Sequence, residues 1–191
     1  TTNCSSQNVR LHSKQKHYKE LELWFDKHYY IRLQHGDENG KRDGIDIDII
    51  ERLIEKSLNH LISHSLRIER YNFLNFVEHN SNPFKTVIQE VSENGVLLNV
   101  ATECHFINIS TFEITVKTAM VEDNFRIRDG QYILELIEDT SILKRKVNNK
   151  IINSFYIYVT KLQKRLLTSV KIAKRRYCYE HIYLFHLRLH L

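Results

Sequence analysis

A chain of 191 residues, 42% apolar, with only 5 Gly and 1 Pro, excludes a disordered polypeptide and suffices for one domain, or one domain with an appendage. No run of about 18 apolar residues occurs, so no membrane span is expected, and the N-terminal stretch lacks the apolar core of a secretory signal. The net charge of +5 is unevenly divided: residues 1–140 hold 16 Lys/Arg against 22 Asp/Glu, net −6, while residues 141–191 hold 12 against the single acid Glu180, net +11. A basic end on an acidic body points to nucleic acid or an acidic protein as partner, or to docking of the end on the body itself. Cys4, Cys104 and Cys178 are odd in number, far apart and not at zinc-ligand spacing, so they are expected to be structural thiols in a reducing, cytoplasmic setting.

Residues 1–12 are polar and form a lead-in. Tyr18, Leu21, Trp24 and Phe25 recur at spacings of three and four, which predicts a short helix over 13–25, with Trp24 as a core or rim aromatic. Tyr29, Ile31 and Leu33 alternate with Tyr30, Arg32 and Gln34, a strand pattern that would set His28, Tyr30 and Arg32 on one face. Gly36 to Gly44 is a polar loop carrying Asn39-Gly40 and Asp43-Gly44, both suited to positive φ. Asp48 and Glu51 have the spacing of a capping box. Ile47, Ile50, Leu53, Ile54, Ser57, Leu58, Leu61 and Ile62 then trace one face of a helix over 46–63.

Past that helix the period changes to two. Strands are predicted over 68–77, 85–91, 103–109 and 111–118, with Asn94-Gly95 as a hairpin turn and Asp129-Gly130 as another. The expected architecture is α+β, a helix packed on an antiparallel β-meander, with a short lead-in over 1–27, the main domain over 28–140 and a basic extension over 141–191. Residues 141–176 lack Gly and Pro and place Ile151, Ile152, Phe155, Tyr158, Val159, Leu162 and Leu166 at helical spacing, so one or two basic helices are expected there. The end, YCYEHIYLFHLRLHL, fits a strand or a helix equally.

Chemistry concentrates in His28 to Ile45. Histidine, with an ordinary pKa of about 6.5, serves as general base or acid. Arginine or lysine beside it neutralises a phosphate and its developing charge. His28, Arg32, His35, Lys41 and Arg42 together suit RNA cleavage without a metal, in which the ribose 2′-OH attacks its own phosphodiester. The same residues also fit a solvated polar loop. His60 and His64, four apart, have metal-ligand spacing but no acid or Cys partner, so a role at the helix-end dipole is expected; His105 is expected as a strand histidine in or near the core. In the basic end, Lys164, Arg165, Lys174, Arg175 and Arg176 interleave with Phe155, Tyr156, Tyr158 and Tyr177, a combination that suits phosphates and stacked bases.

The order HYYIRLQH, GKRDGIDIDIIERLI and a meander ending in TFEITVKTAM resembles the RelE-like and barnase-like ribonuclease toxins, including phage-associated domains, over about residues 28–138. His28 to Arg32 matches a His-x-x-x-Arg start, Arg42-Asp43-Gly44-Ile45 the loop that leads into a helix, and Thr115 or Thr118, with Lys117 beside them, the hydroxyl near the end of the last strands. The resemblance implies RNA as substrate, a cognate antitoxin or immunity protein as partner, and neither cofactor nor metal. It gives His28 or His35 the proton, Arg32 the phosphate, and Thr118 or Lys117 its orientation. In a regular strand Thr115, Lys117 and Ala119 face one side and Val116 and Thr118 the other, so only one of the two threonines would reach a site. The competing reading is a non-enzymatic nucleic-acid- or protein-binding module, antitoxin and immunity proteins included.

Overall fold

The segment Glu20–Asp26, ELELWFD, alternates Leu21, Leu23 and Phe25 with Glu22, Trp24 and Asp26, and this period of two prevails over the helical spacing of Tyr18, Leu21 and Phe25. A computed structural model of the chain describes residues 8–16, 20–35, 44–68, 84–108 and 111–159. In it the lead-in forms two paired strands, β1 (Val9–Lys16) and β2 (Glu20–Asp26), where a helix was expected. The next segment is corrected the opposite way: Lys27–His35 is a helix, α1, in place of a strand. Tyr29 is fully buried and Tyr30 and Leu33 pack against the same core while Ile31 is exposed, a pattern that only a helical repeat produces.

Helix α2 (Ile47–Arg67) lies where the periodicity places it and runs one turn longer. Its N-cap is Asp46, so Asp48 sits inside the first turn and the expected capping box does not form. Ile68, expected to open a strand, closes this helix; residues 69–83 lie outside the described residues. There follow β3 (Phe84–Val91), β4 (Leu97–Asn108), β5 (Thr111–Val121), β6 (Tyr132–Ile137), β7 (Thr140–Val147) and β8 (Lys150–Tyr158).

The eight strands of the described residues join one sheet in the order β1-β2-β5-β4-β3-β6-β7-β8. Neighbours are antiparallel except β2 with β5 and β3 with β6, which are parallel. The α+β class therefore stands, but the sheet is mixed. Two three-strand meanders, β3-β4-β5 and β6-β7-β8, and the β1-β2 hairpin are sewn together by parallel seams. The core lies between the helices and one sheet face, built from Leu23 and Phe25 of β2, Tyr29 of α1, Ile50, Ile54 and Leu61 of α2, and Ile88, Val100, Val116, Leu134 and Leu143 of the sheet.

The Asn94-Gly95 hairpin forms as expected between β3 and β4, with φ +78° at Gly95 and a Gly95 N–H that donates to the Ser92 carbonyl. Asp129-Gly130 is not a hairpin; it lies on the connection between β5 and β6, which are not neighbours in the sheet. The β7-β8 turn is instead Asn148-Asn149, both at positive φ (50° and 60°), as a two-residue type I′ connection requires. The Asp129 carboxylate moors it, accepting the backbone N–H groups of Asn148 (3.0 Å) and Asn149 (2.9 Å).

β7 and β8 also correct the reading of the basic end. Residues 140–158 are strands of the main sheet, not basic helices, so the body does not stop at residue 140. The remainder of that end, with Lys164, Arg165, Lys174, Arg175 and Arg176, lies outside the described residues, as do Lys41 and Arg42. Among the described residues no helix is long and apolar enough to cross a membrane.

Candidate functional site

β2 hands over to α1 at Asp26, and the handover is an N-cap: the buried Asp26 carboxylate accepts the His28 N–H at 3.0 Å through Oδ1. Its other oxygen, Oδ2, accepts from the Lys117 ammonium at 2.5 Å. Burial alone would raise the Asp26 pKa, but the hydrogen bond from Lys117, the His28 N–H and the charges of Lys117 and His28 outweigh it and hold the carboxyl below its ordinary value. One turn into α1, the Arg32 guanidinium donates to the Thr118 hydroxyl.

Lys117 and Thr118 arrive together because β5 is not regular. Val116 opposes Thr102 and Thr118 opposes Ala101, so Lys117 is the extra residue of a β-bulge. Val116 and Ala119, three apart, therefore both enter the core, and the two residues between them turn away from it. Lys117 takes Asp26 and Thr118 takes Arg32. Thr115 does not join them; it is fully buried within β5, opposite Trp24 and Glu103.

The backbone after α1 braces the corner. The Tyr29 hydroxyl donates to the Ile45 carbonyl at 2.7 Å, and Gly44 passes so close that a Cβ there would lie 3.1 Å from the Leu33 Cα. On the outer side the Arg10 guanidinium lies 5.9 Å from the Tyr30 ring centroid. Lys117 and His28 are the cations that act on the Asp26 carboxylate, and Arg32 stands beside Lys117 through its contact with Thr118. His28 is exposed at the rim of the corner. Arg32 is half-buried, and among the described residues one of its five donors is spent on Thr118.

Of the residues singled out from the sequence, His28, Arg32, Lys117 and Thr118 meet here. His28 and Arg32 share a helix face because they are four apart, not because strand residues alternate. His35, the last residue of α1, follows at the next position of that repeat. Asp26, the organising carboxylate, escaped the sequence reading. The signal was present as an Asp just before a helix, but the helix itself was read as a strand.

A second polar cluster lies on the core side. His60 Nδ1 and His64 Nε2 of α2 each lie 2.9 Å from the Ser141 Oγ of β7, and all three residues are fully buried. His64 Nδ1 has no partner among the described residues. A buried N–H without an acceptor is the costlier orphan, so the His64 proton sits on Nε2 and donates to Ser141, whose hydroxyl donates on to His60 Nδ1. Burial, with the charges of His60 and Arg67, lowers the His64 pKa to about 3. His60 lies two turns before the end of α2 and His64 in its last turn, and both rings are turned to Ser141 in the core rather than to the helix end. His105 is, as expected, a half-buried strand histidine, in β4. No group of three or more His, Cys, Asp or Glu side chains among the described residues is placed to hold a metal ion.

Comparison of the chain with known protein families, with curated proteins and with solved structures finds no match.

Proposed function

We propose that the chain is a metal-independent endoribonuclease of the toxin type, working at the corner between α1 and the β5 bulge. The observation that carries this reading is the Arg32–Thr118 contact, with the exposed His28 one turn earlier on the same helix and Lys117 alongside. Arg32 holds the scissile phosphate with the donors that Thr118 leaves over, and Thr118 fixes the plane of the guanidinium. His28 takes the proton of the ribose 2′-OH. The 2′-oxygen attacks phosphorus, a 2′,3′-cyclic phosphate forms, and the 5′-oxygen leaves with a proton supplied by His35. Lys117, partly neutralised by Asp26, serves to place the bulge. RNA is the substrate, a cognate antitoxin or immunity protein covers the positive corner, and a reducing cytoplasm suits the buried free thiol of Cys104, whose pKa burial pushes up to about 12.

Purified protein incubated with RNA in EDTA tests the reading. Cleavage by the wild type that is lost in the His28→Ala, Arg32→Ala double variant supports it. Intact RNA in the wild-type lane, or equal cleavage by the double variant, rejects it.

The Asp26–Lys117 pair favours a second reading, a non-catalytic nucleic-acid- or protein-binding module, because it absorbs a cation that a catalyst would use. Binding of RNA without cleavage, abolished by Arg32→Ala, distinguishes it.

A further inference from the structure

We infer that the outer face of the β6-β7-β8 meander is a stacking platform for single-stranded nucleic acid. The register divides the two faces of this meander. Ser141 and Ile157 are partners in the β7–β8 ladder, both are buried, and Ser141 is held by His60 and His64 of α2. The alternate pairs, Thr140 with Tyr158 and Ile142 with Tyr156, therefore face away from α2. Tyr156 is 73% and Tyr158 58% exposed, and Ile137 (52%) and Ile151 (50%) extend the same face as partners of Thr140 and Lys146. Two tyrosines at alternate positions stand about 7 Å apart along a strand, a spacing that leaves each ring free to take a base.

Charge selects the occupant. Residues 140–158 hold Lys144, Arg145, Lys146 and Lys150 and no acid. Lys144 and Lys146 lie on the tyrosine face, further along β7. Lys144 is paired with Glu135, while among the described residues the Lys146 ammonium donates to the Ile127 carbonyl, and Lys150, the partner of Val147, is exposed at the end of the hairpin. Exposed aromatics that run into cations suit bases followed by phosphates, whereas an acidic protein surface would have no use for bare rings. β8 is also the last strand of the sheet among the described residues. Two strands, β4 and β3, separate this meander from β5 and its bulge, so the platform is distinct from the proposed catalytic corner.

The probe is a fluorescent single-stranded deoxyoligonucleotide, which lacks the 2′-OH and cannot be cut by the proposed chemistry, titrated with the full chain at low salt in EDTA. Wild type binds, more weakly as salt rises. Tyr156→Ala with Tyr158→Ala weakens binding roughly 30-fold or more, and Tyr156→Phe with Tyr158→Phe keeps it within about threefold, because stacking needs the ring and not the hydroxyl. Val91→Ala, at the exposed end of β3 and in neither surface, leaves oligonucleotide binding within about threefold, which separates stacking on the tyrosines from general loss of exposed apolar surface. Both tyrosines are exposed, and a thermal melt checks that the alanine pair remains folded. No binding by the wild type overturns the proposal, as does unchanged binding by the alanine pair or equal loss by the phenylalanine pair. A tyrosine-dependent dimer in sedimentation with no oligonucleotide bound would assign the face to a second copy of this chain and overturn it too. Intact RNA in EDTA alongside tyrosine-dependent binding would reject the ribonuclease reading alone.

Discussion

The Arg32 guanidinium and the Thr118 hydroxyl meet although they stand 86 positions apart in the chain. The contact makes an early helix answer to a late strand, and among the described residues it takes one of the five guanidinium donors. Arg32→Ala is expected to lower RNA cleavage in EDTA by about 100-fold or more, the range for losing a donor aimed at developing charge. Thr118→Val, which frees the plane but keeps the charge, is expected to lower it about tenfold. Arg32→Lys should not rescue, since a point charge lacks the fork. Single-turnover cleavage rates check the ranking.

Asp26 holds two things at once, the start of α1 and the ammonium of the bulge. Asparagine caps a helix as well as aspartate does, so Asp26→Asn isolates the loss of the Lys117 pair, an expected destabilisation of about 1–2 kcal/mol. Asp26→Ala loses the cap as well, about 1 kcal/mol more. Urea denaturation of both variants measures the step between them. The lowered Asp26 pKa means that this stabilisation is present above the ordinary carboxylate range and is lost as pH falls through the lowered value.

His64 adds a second acid-labile element. Its folded pKa of about 3 lies below the ordinary 6.5, so between those values the unfolded chain binds a proton that the folded chain refuses. Stability is complete above about pH 6.5 and falls with pH toward about 3, by at most about 1.4 kcal/mol per pH unit from this group. His64→Gln is expected to flatten the stability profile between pH 6 and pH 4, which chemical denaturation across that range detects. Ser141→Ala strips both rings of their shared partner and is expected to cost about 1–3 kcal/mol at neutral pH.

The Asn148-Asn149 turn gives a purely conformational test. Asn149→Gly is expected to be neutral or slightly stabilising, whereas Asn148→Val places a β-branched residue at φ 50° and should cost about 1–2 kcal/mol. Asp129→Ala leaves two turn N–H groups to water and should cost about 1 kcal/mol. Thermal melts rank the three.

Why the sequence disclosed some of this and not the rest comes down to competing periods. Helix α2 was legible because Ile47 to Ile62 repeats one apolar face over four turns. α1 was not: in YYIRL nearly every residue is apolar or amphipathic, so alternation and helical spacing fit the same letters, and only burial of adjacent Tyr29 and Tyr30 with Ile31 left outside separates them. β7 and β8 were hidden by Lys and Arg at half-exposed strand positions, which imitate a solvated helix face. The site was legible in its members and not in its geometry. His28, Arg32, Lys117 and Thr118 are recognisable as chemistry-bearing types, but a bulge at Lys117 leaves no mark in the sequence, and it is the bulge that turns Lys117 and Thr118 outward together.

The parallel seam between β2 and β5 also bears on how the molecule assembles. Asp26 and Lys117 face each other across 91 positions, so their contact closes one of the longest loops in the fold, whereas each meander pairs near neighbours. Short loops close at lower entropic cost than long ones, and distant pairings form late. Closing the Asp26–Lys117 contact therefore carries a larger loop-entropy cost than closing any hairpin of either meander.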